Sequence, residues 1–321
     1  MEVDVELHSK QSSSFPRSDH MRITFLGTSG SMPTPERGSS SIVIRKDREV
    51  IMLDCGEGTQ RQMVKAGVGF QRDMRIFITH MHGDHILGLP GLLQSMSLLR
   101  REKDLHIYGP VGLIDFVKAF SESIGGPSFP VSIYEIQEPG IVHEGVGYTV
   151  EAVKAKHRET AWSYGVFESE RPGKFHPIKA KELKIPIGRD WNKLQHGEPV
   201  KVDGQTITPD MVSDPPRPGR RIVYSGDTSP THELTELARG ADVLIHESTF
   251  MDELGERAEE DGHTTVTQAA ELASKAGVTL LILTHISSRY ANPDIILEEA
   301  KQVFEKVIVA EDLLWIEVPL K

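Results

Sequence analysis

The chain has 321 residues, with 36 basic against 47 acidic side chains and a formal net charge of −11. Hydrophobic residues at 38% and charged residues at 26% argue against a disordered tail and against a membrane protein. No apolar run approaches the ~20 residues that span a bilayer. One cysteine, Cys55, leaves no intrachain disulfide framework and suits a reducing cytoplasm. The acidic balance argues against a nonspecific nucleic-acid coat while leaving room for a local basic patch.

Residues 1–20 are polar and Ser-rich, without the cationic start or apolar stretch of a secretion signal. They read as a flexible leader, so that Met21 opens the fold. Strands are predicted over 22–27, 41–46, 49–54, 74–79, 105–108 and 148–155. Later strands are predicted over 221–226, 241–246 and 278–285, with a closing pair near 306–309 and 314–318. Helical patterns cover 86–100, 111–123, 266–276 and 293–305. Strands joined by short turns fill the first half, and βαβ-like units fill the second. The expected fold class is therefore mixed α/β (α+β), with helical and sheet layers around two sheets.

One stretch breaks this rhythm. Residues 171–193 carry seven Lys/Arg (Arg171, Lys174, Lys179, Lys181, Lys184, Arg189 and Lys193) against two acids, a local net of +5. They also hold three prolines and little strand pattern, and a second basic run, PPRPGRR, follows at 215–221. The plain reading is a solvated surface loop. The sharper one is an extruded arm, about 168–199, that meets a polyanion.

Fourteen histidines are the compositional oddity. Directly after the strand ending in RIFIT comes His80-Met81-His82-Gly83-Asp84-His85. Residues i and i+2 of an extended segment point the same way, so His80 and His82 can close on one ion. Asp84 and His85 can face a second ion where the chain turns into a helix, with Gly83 allowing a sharp bend. Imidazole and carboxylate suit zinc and several other divalent metals. Further ligands should come from the same edge of the sheets. His157, Asp227 and His285 each follow a strand pattern, although Asp227 also reads as a helix cap. His246-Glu247 ends another strand, where His246 can sit behind a ligand. His263, in Gly262-His263-Thr264-Thr265, is a candidate mobile acid. His20, His106, His143, His176, His196 and His232 are assigned to surface or packing, and Cys55 to packing.

These residues resemble the metallo-β-lactamase superfamily, through HMHGDH with downstream His157, Asp227 and His285. Within it the chain is similar to the ribonuclease Z family of tRNA 3′-processing endonucleases over essentially 21–321. The strings that carry this are FLGTSGSMPTPERGSSS, LDCGEGTQRQ, ITHMHGDHILGLPGLL, KHRETAWSYG, RPGKF, YSGDT, HESTF, GHTT and THISSRY. His157-Arg158-Glu159-Thr160 departs from a family pattern with Pro-Ser after that histidine. The resemblance implies a four-layer αββα sandwich with an inserted tRNA-binding arm. It also implies two zinc ions per subunit, one on His80, His82 and His157 and one on Asp84, His85 and His285, bridged by Asp227. Asp84 would activate water and His263 would protonate the departing 3′-oxygen, with His246 and Glu247 holding His263 or a ligand. The implied substrate is precursor tRNA, cut to a tRNA 3′-hydroxyl and a trailer 5′-phosphate by a cytoplasmic homodimer with no role at membranes or on DNA. The rival expectations are another binuclear phosphodiesterase or thiolesterase of the same fold, and a non-catalytic RNA-binding or scaffold subunit.

Overall fold

Along the strand Glu49–Leu53, successive side chains enter two different interiors. Ile51 and Leu53 join the core between two sheets, while Val50 and Met52 join a second core beneath helices. That alternation is the period of two of a strand buried on both faces. The structure is a computed structural model and describes residues 20–320. The leader expected over 1–20 therefore lies, except for His20, outside the described residues.

The first sheet has seven strands in the order Trp315–Val318, Met21–Gly27, Ser41–Lys46, Glu49–Leu53, Asp73–Phe77, Leu105–Gly109 and Val131–Glu135. Pairing is antiparallel up to Glu49–Leu53 and parallel beyond it. The second sheet runs Val307–Val309, Leu280–Thr284, Val243–Glu247, Arg221–Tyr224, Ala161–Glu168, Tyr148–Ala155 and Gly140–Gly145. Its first four strands are parallel. Large side chains from both sheets, among them Phe25, Phe77, Trp162 and Tyr224, fill the space between them. Helices Thr59–Lys65, Gly88–Leu98 and Leu113–Ile124 cover the outer face of the first sheet. Helix Val266–Ala276 packs on the second, and Pro293–Lys301 packs beside it. Four layers, helix–sheet–sheet–helix, result, as expected.

Helix Val266–Ala276 matches its predicted span because both ends are written locally. Thr265 and Gln268 form a reciprocal capping box, and Gly277 closes the helix in the left-handed region. The helix predicted over 86–100 is instead two, Gly83–Ile86 and Gly88–Leu98. A Cβ on Gly88 would lie 1.9 Å from the Gly56 carbonyl oxygen, so only glycine lets this segment approach the loop that follows Leu53. Strands Val131–Glu135, Gly140–Gly145 and Ala161–Glu168 were not predicted.

Residues Phe167–Arg220 form a separate compact unit. It is longer than the charged stretch 171–193. It contains helices Pro177–Glu182 and Arg189–Gln195 and a hairpin of Val200–Val202 with Gln205–Ile207. Pro177 sits in the first helical turn, where its missing N–H costs no hydrogen bond. Ala180, Ile185, Leu194, Val200, Ile207 and Val212 make its own small core. Arg220 and Glu168, both nearly buried, pair at 2.8 Å where the chain enters and leaves the unit.

Candidate metal centre

The carboxyl ends of the parallel strands supply the site, the usual place for a site in such sheets. His80–His85 follows Asp73–Phe77, Asp227 follows Arg221–Tyr224, and His285 follows Leu280–Thr284. His157 leaves the strand Tyr148–Ala155. The bend expected at Gly83 is the start of a helical turn with His82 at its N-cap.

All seven sequence-predicted ligands converge. His80, His82 and His157 bring one ligand atom each within 4.8 Å of one another, and so do Asp84, His85 and His285. Asp227 lies between the sets, its Oδ2 at 3.7 Å from His80 Nε2 and 3.3 Å from His285 Nε2. It does not cap a helix; Thr231 performs that task for His232–Leu237. His263 and Glu247 also come within ligand range of this cluster.

The rings are held from behind. His85 Nδ1 faces Asp54 Oδ2 at 2.7 Å, His285 Nδ1 faces Thr249 Oγ1 at 2.8 Å, and His157 Nδ1 faces the Gly262 carbonyl at 2.8 Å. Such contacts fix the ring and its tautomer, which leaves Nε2 for the centre. Asp54 also accepts from the Thr79 backbone N–H and from the Tyr224 hydroxyl. Asp54 and His285 both adopt left-handed backbone angles, φ 59° and 57°, strain that clusters where a site is over-determined. The sequence reading missed Asp54, Thr79 and Thr249. A carboxylate at the end of a strand in LDCGEG was the available signal.

Electrostatics follow from burial and crowding. Burial, then the neighbouring His85, holds the His80 imidazole well below the usual histidine range. Burial opposes charge on His85 too, but Asp227 and Asp54 outweigh it and raise that ring well above the range. Burial would raise Asp227, yet His285 and His85 keep it ionised far below the ordinary carboxylate range. His85 Nε2 and Asp227 Oδ1 are buried with no hydrogen-bond partner among the described residues. Unpartnered buried nitrogen and oxygen atoms beside convergent imidazoles and carboxylates fit divalent cations, which would displace the proton from His85.

Glu247 and His246 part company. Strand neighbours face opposite sides, and only Glu247 turns inward, its Oε1 2.9 Å from His263 Nδ1. The His246 ring is buried and bonded at 2.8 Å to the Glu247 carbonyl, and its Nε2 has no hydrogen-bond partner among the described residues. Burial would lower His263, but Glu247 raises it to about 9.

Two family profiles match the chain: one described as anti-Pycsar protein Apyc1 over 21–171, and one described as a beta-lactamase superfamily domain over 174–286. Ribonuclease Z of Methanosarcina acetivorans is 46% identical over 303 residues, covering 94% of this chain and 99% of the relative. The chain belongs to the ribonuclease Z family. Ribonuclease Z of Methanosarcina mazei is 45% identical over 94% of this chain and 99% of its own length. The crystal structure of the short form of human tRNase Z superposes with a TM-score of 0.70 at 30% identity, covering 94% of this chain and 100% of that one. Membership therefore extends through the inserted unit as well as the sandwich.

Proposed function

We propose that this chain is a metal-dependent endoribonuclease that removes the 3′ trailer from precursor tRNA, leaving a tRNA 3′-hydroxyl and a trailer 5′-phosphate. The observation that carries this reading is relatedness along almost the whole chain to ribonuclease Z, joined to a seven-ligand centre. His80, His82 and His157 would hold one ion, Asp84, His85 and His285 a second, and Asp227 would touch both; the donor set favours zinc. Bound there, the ions would lower the pKa of water and neutralise charge on the phosphodiester oxygens.

The chain's own residues supply the rest. Asp84 accepts the proton of the attacking water through a carboxylate oxygen. His263 donates Nδ1–H to Glu247, which leaves Nε2–H to protonate the departing 3′-oxygen. Glu247 is itself fixed by the Thr228 N–H and the Thr249 hydroxyl. The basic stretch 171–193 would grip the tRNA body, and in a homodimer the arm of one subunit would serve the other. A cytoplasmic location belongs to the same reading, since a lone thiol and a tRNA substrate are both at home there.

The test is incubation of the metal-loaded protein with a 3′-extended precursor tRNA and mapping of both new ends. Cleavage at the trailer junction with the stated end groups is expected. A cut inside the tRNA body, or hydrolysis of small diesters alone, would overturn the reading in favour of another phosphodiesterase.

A further inference from the structure

The string FLGTSGSMPTPERGSSS has no part in the mechanism so far, yet its loop reaches the metal centre. The Ser31 backbone N–H donates to Asp84 Oδ2 at 2.9 Å. Ser31 takes a left-handed φ of 60° to do so. Two residues earlier, Ser29 and Gly30 pair in parallel with Ile286 and Ser287, directly after His285. The Ile286 N–H donates to the Thr28 carbonyl at 2.9 Å. A Cβ on Gly30 would sit 2.9 Å from the His285 carbonyl oxygen, so the loop lies flush against that ligand. One loop thus touches the backbone of one candidate ligand and the carboxylate of another, both in the same set of three.

A single carboxylate anchors the loop from the far side. Asp312 Oδ1 accepts from Thr28 Oγ1 at 2.8 Å. Its Oδ2 accepts from the Gly38 N–H at 2.8 Å and from Gln62 Nε2 at 2.7 Å. Arg37 Nη1 closes the ring, donating to Thr28 Oγ1 at 2.7 Å and to the Ala310 carbonyl at 2.6 Å. Both ends of the loop, Thr28 and Gly38, are therefore tied to one side chain.

We propose that Asp312 is a positioning residue for the metal centre, fixing the 28–38 loop so that the Ser31 N–H orients Asp84 and the Thr28 carbonyl orients the His285 segment. The inference rests on the metal-dependent reading above. It acts on the Asp84, His85 and His285 set and leaves the His80, His82 and His157 set alone. Partners one step behind metal ligands typically carry about 10–100-fold in metal affinity or activity.

The experiment titrates wild type, Asp312→Ala and Asp312→Asn with a chelator while metal retention is followed, alongside kcat and KM on precursor tRNA. Asp312→Ala should release part of its metal at about 10-fold lower chelator or less, and lose kcat with KM unchanged. Asp312→Asn should restore both, because its Oδ1 can still accept from Gly38 and Gln62 while its amide donates to Thr28. Retention in Asp312→Ala equal to wild type would overturn the proposal, as would a kcat loss without a retention change. If Asp312→Ala fails to fold, Thr28→Val replaces it, and unchanged retention there is equally fatal. A wild-type chain that takes up no metal would sink the functional reading with it; wild-type uptake with unaltered variants sinks this proposal only.

Discussion

Glu247 Oε1 and His263 Nδ1 lie 2.9 Å apart, with Glu247 buried and His263 facing the metal centre. The carboxylate keeps the imidazole protonated up to about 9 against the strong opposing effect of burial. If His263 is the acid that protonates the departing oxygen, cleavage needs its charged form and should fall as pH rises through that value. Replacing Glu247 by Gln removes the charge that raises it, so the alkaline fall should move toward the ordinary histidine value near 6.5. Activity at pH 8 should drop more than activity at pH 6. A rate–pH profile whose alkaline limb stays in place would refute the pairing as the source of the acid.

His263→Ala should slow cleavage by about 10²–10⁴, the usual cost of losing a general acid. Because His263 also lies within ligand range of Asp227 and His157, activity alone does not separate acid from ligand. Metal content does. Wild-type metal stoichiometry in the slow variant supports the acid, and recovery on added metal makes His263 a ligand.

Asp227→Ala should impair both ion sets together. Its Oδ2 is 3.7 Å from His80 Nε2 and 3.4 Å from His85 Nε2, so it belongs to neither set alone. Elemental analysis of the variant should show loss across the centre and activity near background. Full metal content with full activity would remove Asp227 from the bridging position.

Much of this centre was legible because HMHGDH packs four candidate ligands into six residues at a strand exit, a density that chance rarely produces. His157, Asp227 and His285 were legible only through their shared position after strand patterns. What stayed hidden lies in contacts between distant segments. Asp54 meets His85 across 31 residues, and His157 meets Gly262 across 105. A lone aspartate at a strand end looks like any turn residue until the fold delivers its partner. Of the His246–Glu247 pair only Glu247 bonds to His263, since neighbours on a strand face opposite sides. The helices of the inserted unit, six and seven residues long, carry too little periodicity to stand out from a loop.

Cys55 reports on folding. Its thiol is fully buried, and burial pushes it up to about 12. The thiolate is the reactive form, so a thiol reagent at pH 8 should leave the native protein unlabelled and react once per chain on denaturation. Labelling followed against denaturant should coincide with loss of secondary structure. Rapid labelling of the native protein would show that the loop after Leu53 opens locally.

The basic stretch of the inserted unit offers the last prediction. Lys174, Lys179, Lys181, Lys184 and Arg189 are exposed, whereas Arg171 and Lys193 are partly buried. The remainder of the unit adds Lys201, Arg217 and Arg220 against Glu168, Glu170, Glu198, Asp203, Asp210 and Asp214, so positive charge is concentrated in 171–193. Deleting that stretch would also remove Ala180 and Ile185 from the small core, with Phe175, Leu183 and Trp191 that pack against it, and weaker binding would then report misfolding. Neutralising Lys179, Lys181 and Lys184 to Gln spares the core. For every lysine–phosphate pair abolished, the log–log salt dependence of tRNA binding should flatten by about 0.7–0.9. Precursor tRNA affinity should therefore fall most at low salt, while hydrolysis of a small chromogenic phosphodiester stays near the wild-type rate. Equal losses on both substrates would tie these lysines to the centre or the fold, and an unchanged salt slope would leave them as solvated surface charge.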